Sequence, residues 1–193
     1  MTYEKHLALG LVSSLAERFG PSSKIAKELP GWIEYLTDVE CPERPQARPE
    51  LDWWVQIRSL LDDLCKDASY GDGSMVRVNA MRIGRHFGLT ELEARILEFF
   101  ANYRIFEMFE HVVDQAMRTN EVTTSFLLGQ FAGAEQGEAR AALRPQARLR
   151  AFGLLQCEDR HWVDQSISYL VPPRLANAML AEVDDVEELV ALM

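Results

Sequence analysis

Residues able to perform chemistry are few in this chain, and they do not converge in the sequence. Phosphate binding by a glycine-rich loop needs two glycines followed by a lysine and a serine or threonine. The nearest segment, GPSSKI at residues 20–25, lacks the second glycine. Cys157 and His161 flank Glu158 and Asp159, but a structural zinc site needs four ligands and no second pair follows at a matching spacing. We therefore predict neither a phosphate-binding loop nor a metal site, and we interpret Cys157 and His161 as residues of a hairpin.

Nucleophilic and acid–base catalysis are not indicated either. The sequence contains no G-x-S-x-G motif. Its paired carboxylates are adjacent along the chain and fall on faces that we expect to be solvated, where acid catalysis is not favoured; the pairs are Asp62-Asp63, Asp184-Asp185 and Glu187-Glu188. We predict that the chain is not an enzyme and has no catalytic residue and no bound cofactor.

The longest apolar-periodic stretch, residues 78–118, organises the rest of the chain. Within it a short helical pattern stops at Gly88, and Thr90 begins a second helix with Glu93 three residues later, which is the capping-box spacing. This is a helix-turn-helix pattern. The polar positions of the second helix then shift in phase near residues 103–105, which predicts a break and two packed helices rather than one long rod.

Arginines on this helix-turn-helix are candidates for nucleic-acid binding: Arg77, Arg82, Arg85 and Arg95. The helix that would read the bases also carries Glu91, Glu93 and Glu98, whose charges repel phosphates. The formal net charge of −10 further lowers the expected affinity for duplex DNA. Nucleic acid is therefore a disfavoured partner, and we prefer a scaffold or protein-interaction use of the same fold.

A second group of arginines lies in a net-positive stretch, residues 121–153, which holds four arginines and three glutamates. Its members are Arg140, Arg144, Arg148 and Arg150. We expect a helix to restart at Pro145, which suits a first helical turn; if the helix instead continues through Pro145, residues 140, 144 and 148 share one face. This face is either simply solvated or a docking surface for an acidic partner. Such a partner could be the acidic C-terminal segment of another copy, which makes a homo-oligomer one of the expected states.

The remaining apolar patterns predict helices and a small β element in a fixed order. The predicted helices are residues 3–19, a short helix from Ser22 or Ser23 to Leu29 stopped by Pro30-Gly31, a helix capped by Asp52, and residues 122–133 capped by Thr123 or Thr124. Residues 32–36 are interpreted as an apolar turn or a short helix. LLQC at 154–157 and HWV at 161–163 are expected to form a β-hairpin, and ISYLV at 167–171 could add a strand.

The fold class predicted from this order is mainly α. A helical N-terminal subdomain is expected over residues 1–68, a winged-helix-like domain over 74–181, and an acidic helical connector or tail over 182–193. The boundary is placed where glycine, serine and aspartate cluster between two periodic regions. Three scattered cysteines favour a reducing compartment, and no leader or membrane span is indicated, so we expect a cytoplasmic protein that does not bind a membrane.

The second half of the chain resembles the winged-helix-like region that precedes the ATPase module in a group of bacterial AAA ATPases. The resemblance covers about residues 74–181. It is carried by the helix start Gly88-Leu89-Thr90, by Leu149 and the Gly153-Leu154-Leu155 run, and by Arg174, Leu175 and Leu180.

The resemblance implies a segment that recruits or orients a partner or substrate for an ATP-binding motor. The Walker A and Walker B elements of such a motor are not in this sequence. The chain is then expected to be either the N-terminal piece of a longer ATPase or a free-standing relative without the motor. The favoured function is a non-catalytic accessory domain of a bacterial AAA-type ATPase that acts by protein–protein contact, and the alternative is a winged-helix DNA-binding regulator.

Overall fold

A computed structural model describes residues 2–44, 50–66, 74–157 and 169–193. Over these ranges the chain forms eleven helices and two short strands. In chain order they are α1 Tyr3–Arg18, α2 Lys24–Thr37, α3 Glu50–Lys66, α4 Met75–His86, α5 Glu91–Ile105, α6 Glu107–Arg118, α7 Thr124–Ala132, α8 Gln136–Ala142, α9 Arg148–Ala151, β1 Gln156–Cys157, β2 Tyr169–Leu170, α10 Pro173–Ala178 and α11 Val186–Ala191. The prediction of a mainly helical protein is confirmed.

The first helix, α1, begins after Thr2, whose side chain accepts a hydrogen bond from the Lys5 N–H. It buries the apolar face expected from its spacing and packs on α2, α3 and α6. Its Glu4 carboxylate accepts a 2.6 Å hydrogen bond from the Met108 N–H, in the first turn of α6. Because α6 has no side-chain cap of its own, Glu4 supplies an acceptor where helix N–H groups need one.

The prediction that the second helix stops at Pro30-Gly31 is wrong, because α2 continues through Pro30 to Thr37. A proline inside a helix removes one backbone hydrogen bond and crowds the carbonyl four residues earlier. Here Trp32, Ile33 and Leu36, which follow the proline at helical spacing, are all buried against the core. Tertiary packing of this face therefore outweighs the cost of the proline.

The third helix, α3, begins before the predicted position. It starts at Glu50, so Asp52 lies in its first turn and is not the cap. An acidic residue in the first turn still interacts favourably with the helix dipole. The apolar face is as predicted, since Trp53, Trp54 and Ile57 are buried.

The two helices predicted on either side of Gly88 are present as α4 and α5, with a turn between them. Gly88 has a φ of +64°, a left-handed conformation that glycine adopts without steric cost, and it forms the turn. Thr90 and Glu93 form a complete capping box at the start of α5. The two helices are in close contact at Gly84, where a Cβ added to the glycine would lie 2.9 Å from the Ala94 Cβ.

The predicted break after α5 is also confirmed. Phe106 has an extended backbone and separates α5 from α6. Tyr103 on α5 donates a 2.8 Å hydrogen bond to Asp114 on α6 across this corner. The α5 helix is central to the described part of the chain, because it contacts α4, α6, α7 and α8 and ten of its fifteen residues are buried.

The prediction that a helix restarts at Pro145 is wrong. α8 ends at Ala142, the Ala147 N–H donates to the Arg144 carbonyl in a turn, and α9 begins only at Arg148. The residue before a proline is disfavoured in the helical conformation, which explains the interruption. Because no helix continues through Pro145, Arg140, Arg144 and Arg148 do not share one helical face. The N-cap of α7 is Thr123, one of the two predicted alternatives.

The described β element is one pair of short strands. β1 pairs antiparallel with β2, with Gln156 opposite Leu170 and Cys157 opposite Tyr169. The LLQC segment thus pairs with ISYLV. The predicted strand HWV lies in 158–168, outside the described residues, as do Glu158, Asp159 and His161.

The acidic C-terminal segment packs on the helix-turn-helix. The Asn79 side-chain amide on α4 donates hydrogen bonds to the carbonyls of Met179 and Ala181, at 3.1 and 2.9 Å. α11 is shorter than the spacing of its valines suggested, and its buried residue is Leu189.

Buried side chains of α1 and α2 belong to the same apolar cluster as those of α5 and α6. The proposed domain boundary near residue 68 falls in 67–73, outside the described residues, and the division into two subdomains remains a prediction. Among the helices described, none is both long enough and apolar enough to span a bilayer.

Candidate functional site

The arginines near the helix-turn-helix do not form one surface. Arg82 donates a hydrogen bond to the Val183 carbonyl and so holds the C-terminal segment on α4. Arg85 is exposed on the outer side of α4. Arg77 and Arg95 line a common cavity between helices, and neither Arg82 nor Arg85 is among its described lining residues. Of the four predicted nucleic-acid-binding candidates, the structure brings together only Arg77 and Arg95.

The geometry of α5 also bears on base recognition. A recognition helix needs one face that can enter the major groove. In α5 the side chains from Glu93 to Tyr103 are buried except that of Arg95, which is partly exposed. Arg95 itself is paired with Glu98 and donates to the Phe131 carbonyl. The middle of this helix therefore has no side-chain set available to bases.

The second group of arginines divides into two pairs. Arg148 and Arg150 contact the rest of the chain. Arg148 donates to the Gly88 carbonyl, and one of its Nη atoms lies 3.6 Å from the Glu93 carboxylate, so α9 is tied to the turn of the helix-turn-helix. The Arg150 guanidinium lies 5.9 Å from the centre of the Tyr169 ring, within cation–π range.

The other pair, Arg140 and Arg144, lines one shallow groove with a volume of about 400 Å³. We call it the basic groove; it is lined by Thr123, Thr124, Ser125, Arg140, Leu143, Arg144, Pro145 and Tyr169. Both arginine side chains are exposed. Within the described part of the chain, neither has an acidic partner and no acidic residue lines the groove.

The first turn of α7 opens into the basic groove. Thr123 caps this helix by accepting from the Phe126 N–H, and Gln136 donates to both Thr123 and Ser125, at 2.9 and 3.2 Å. The N-terminal end of a helix carries a partial positive charge. Two guanidinium groups and this helix end therefore create a positive potential in one concave place.

Sequence reasoning identifies the arginines but not the threonines and serine beside them. The sequence indicates Thr123 only as a cap, and it does not predict the turn that brings residues 140–145 back against the start of α7. The available signal is Pro145, which disfavours a continuous helix through this stretch.

Comparisons of the chain with protein-family models, with curated proteins and with solved structures give no match.

Proposed function

We propose that this chain is a non-catalytic accessory domain of an AAA-type ATPase that works by protein–protein contact. In this proposal residues 74–181 are the winged-helix-like part, and the partner is either the ATPase module itself or a protein that the ATPase acts on. The resemblance of residues 74–181 to the region preceding such ATPase modules supports the link to the motor. The two helices α4 and α5, joined by a turn at Gly88, are compatible with it.

The basic groove is the observation that supports protein contact most directly. Arg140 and Arg144 are exposed and unpaired among the described residues, in a chain whose net charge is −10. Exposed arginines on an acidic protein contribute little to its folding. They do attract carboxylates, and the planar guanidinium binds a carboxylate through two hydrogen bonds. The groove is thus suited to an acidic segment of a protein.

The expected strength is modest. Exposed ion pairs contribute roughly 0.2–1 kcal/mol each, so the two arginines together supply about 0.4–2 kcal/mol. Reversing both charges replaces attraction by repulsion, and we expect a loss in affinity of roughly tenfold or more. The interaction should weaken steeply with salt because the groups are exposed.

The test uses the full chain and a fluorescein-labelled peptide of residues 181–193, AEVDDVEELVALM, as an acidic probe. Fluorescence anisotropy at low salt should show binding to the wild-type chain and a clear loss with the double variant Arg140→Glu/Arg144→Glu. The matched control is Arg58→Glu/Arg104→Glu, which makes the same charge change at two other exposed arginines. Equal weakening by both double variants, or no binding by the wild type, would refute the assigned surface.

The link to a motor has its own test, independent of the groove. We expect the reading frame that encodes this chain, or a neighbouring frame, to encode a P-loop lysine motif followed by an acidic Walker B strand. The absence of any such ATPase from both places would reject the accessory-domain role and leave the groove result intact.

A further inference from the structure

A cavity of about 320 Å³ lies between α1, α4, α5 and α7. This volume is in the range of small-molecule sites. Part of its wall is apolar and is formed by Leu7 and Leu11 of α1 and by the Phe131 ring of α7. A ligand with an apolar portion would find hydrophobic contact on this side.

A buried ion pair forms the polar wall of the same cavity. The Glu98 side chain is only 3% exposed and pairs with Arg95 at 2.5 Å. Arg95 is held in place by a 3.0 Å hydrogen bond to the Phe131 carbonyl, and its guanidinium lies 4.7 Å from the centre of the Phe131 ring. The charged groups at this wall are therefore fixed in position before any ligand binds.

The charges lining the cavity are predominantly positive. Arg77 and Arg95 contribute two positive charges, and Glu98 is the one acidic residue among the described lining residues. Burial raises the pKa of Glu98, while Arg95 and Arg77 act in the opposite direction. Protonation of Glu98 as the pH falls would remove its negative charge and leave the two arginines in excess.

Hydrogen-bond donors also dominate the lining. His6 of α1, Ser74 beside α4 and the amide of Gln130 on α7 can each donate, in addition to the arginines, while the Tyr3 hydroxyl donates to Asn102. An anionic oxygen accepts several such bonds at once, whereas an ammonium group needs acceptors, and Glu98 is the one charged acceptor among the described lining residues. The lining thus complements an anion attached to an apolar group.

We propose that this cavity binds a small organic anion, a carboxylate or a phosphate monoester carrying an apolar group, with its charge at Arg77 and Arg95 and its apolar part against Leu11 and Phe131. This site is separate from the basic groove and gives the accessory domain a ligand-binding activity of its own. Carboxylate and phosphate share the required chemistry, and the test includes one of each.

The titratable groups facing the cavity set the pH dependence. They are Tyr3 and His6 on α1, Arg77 on α4, and Arg95 and Glu98 on α5, while the lining residues of α7 do not titrate. Burial lowers the pKa of His6 and raises that of Glu98. Both groups gain a proton as the pH falls, and each proton adds positive charge to the cavity. Anion binding should therefore strengthen from neutral toward mildly acidic pH.

The experiment is isothermal titration of the full chain with phenyl phosphate and with benzoate, and with benzylamine as the probe of opposite charge. We expect at least one anion to bind and benzylamine not to bind. The pH dependence is measured with benzoate, which stays ionised at mildly acidic pH, because a phosphate monoester itself gains a proton at about pH 6. The anion that binds more tightly shows whether the ligand of the cavity carries a phosphate ester or a carboxylate.

Variants assign the binding to this cavity. Arg77→Gln should weaken the anion by roughly tenfold, the loss of one charge-assisted interaction. Arg85→Gln, the same change at an exposed position on the same helix, should leave the affinity unchanged, as should Arg140→Glu/Arg144→Glu in the basic groove. Circular dichroism confirms that each variant is folded.

Glu98→Gln gives a second, independent readout. It removes the negative charge and should strengthen anion binding at neutral pH and flatten its pH dependence. Binding of benzylamine in place of the anions, equal weakening by Arg77→Gln and Arg85→Gln, or no binding of either anion would overturn the proposal.

Discussion

Adding a single methyl group at Gly84 tests the packing of the helix-turn-helix. Gly84 lies inside α4, and a Cβ at this position would be 2.9 Å from the Ala94 Cβ on α5. Real Cβ atoms do not approach so closely, so Gly84→Ala must push the two helices apart. The matched control is Gly31→Ala, inside α2, where a new Cβ meets no atom within 4 Å.

The two substitutions share one contribution and differ in another. Replacing glycine by alanine within a helix stabilises a protein by roughly 0.5–1 kcal/mol because the unfolded chain loses less entropy on folding. Overpacking a well-filled contact costs about 1–3 kcal/mol. Gly31→Ala should therefore increase the free energy of unfolding by up to about 1 kcal/mol. The free energy of unfolding of Gly84→Ala should be lower than that of Gly31→Ala by roughly 1–3 kcal/mol.

Urea unfolding followed by circular dichroism measures this difference, with a comparable m-value expected for both variants. For a chain of this size 1 kcal/mol corresponds to a change in Tm of about 2–4 °C, so thermal unfolding provides a second readout. Adding Ala94→Gly to Gly84→Ala removes the opposing methyl group and should give a favourable coupling energy in a double-mutant cycle. Equal stabilisation by Gly84→Ala and Gly31→Ala would show that the close approach of α4 and α5 is not present in solution.

Three further predictions concern caps and thiols. Thr90→Ala removes the capping box of α5 and should lower the free energy of unfolding by about 1 kcal/mol, measured by urea unfolding, whereas Thr90→Ser should retain most of it. Glu121→Gln weakens the two 3.0 Å hydrogen bonds that its carboxylate accepts from the first turn of α2, and we expect a loss of roughly 1 kcal/mol; an unchanged midpoint would show that these bonds do not contribute. Burial, and secondarily the nearby Glu34, raises the pKa of the Cys41 thiol to about 11. Iodoacetamide should therefore alkylate exposed Cys157 well before Cys41, and alkylation of Cys41 should accelerate only at strongly alkaline pH. Mass spectrometry of partly alkylated protein measures this order, and faster alkylation of Cys41 would contradict the prediction.

Features that depend on near neighbours in sequence could be predicted well. The capping box at Thr90, the turn at Gly88 and the break before α6 each follow from spacing within a few residues, and all three are present. The same local reasoning fails at Pro30, because the proline's cost is local while the packing that outweighs it is not. Buried Trp32 lies beyond the proline and keeps α2 helical.

Features that join distant parts of the chain could not be predicted. The carboxylates of Glu4 and Glu121 accept hydrogen bonds from the first turns of α6 and α2, about a hundred residues away in sequence. A single sequence records no such pairing, because any glutamate is an adequate acceptor for a helix end. The cavity beside Glu98 escapes prediction for a related reason. Glu98 on a mostly apolar helix is the available signal, but the rest of the cavity wall comes from α1, α4 and α7, which are distant in sequence.

The candidate surface could be predicted in composition but not in shape. The sequence allowed Arg140 and Arg144 to share a helix face with Arg148. Instead the turn at Pro145 places the first two in the basic groove and directs the third to the Gly88 carbonyl. The groove exists because the helix is interrupted at this turn.

The most direct test of the proposed protein–protein role is a parallel titration of the full chain with two labelled polyanions at low salt: the acidic peptide of residues 181–193 and a short DNA duplex of random sequence. We predict that the peptide binds, that Arg140→Glu/Arg144→Glu weakens this binding roughly tenfold or more, and that the duplex does not bind. Duplex binding with a steep salt dependence, together with no binding of the peptide, would contradict the account and favour a DNA-binding regulator.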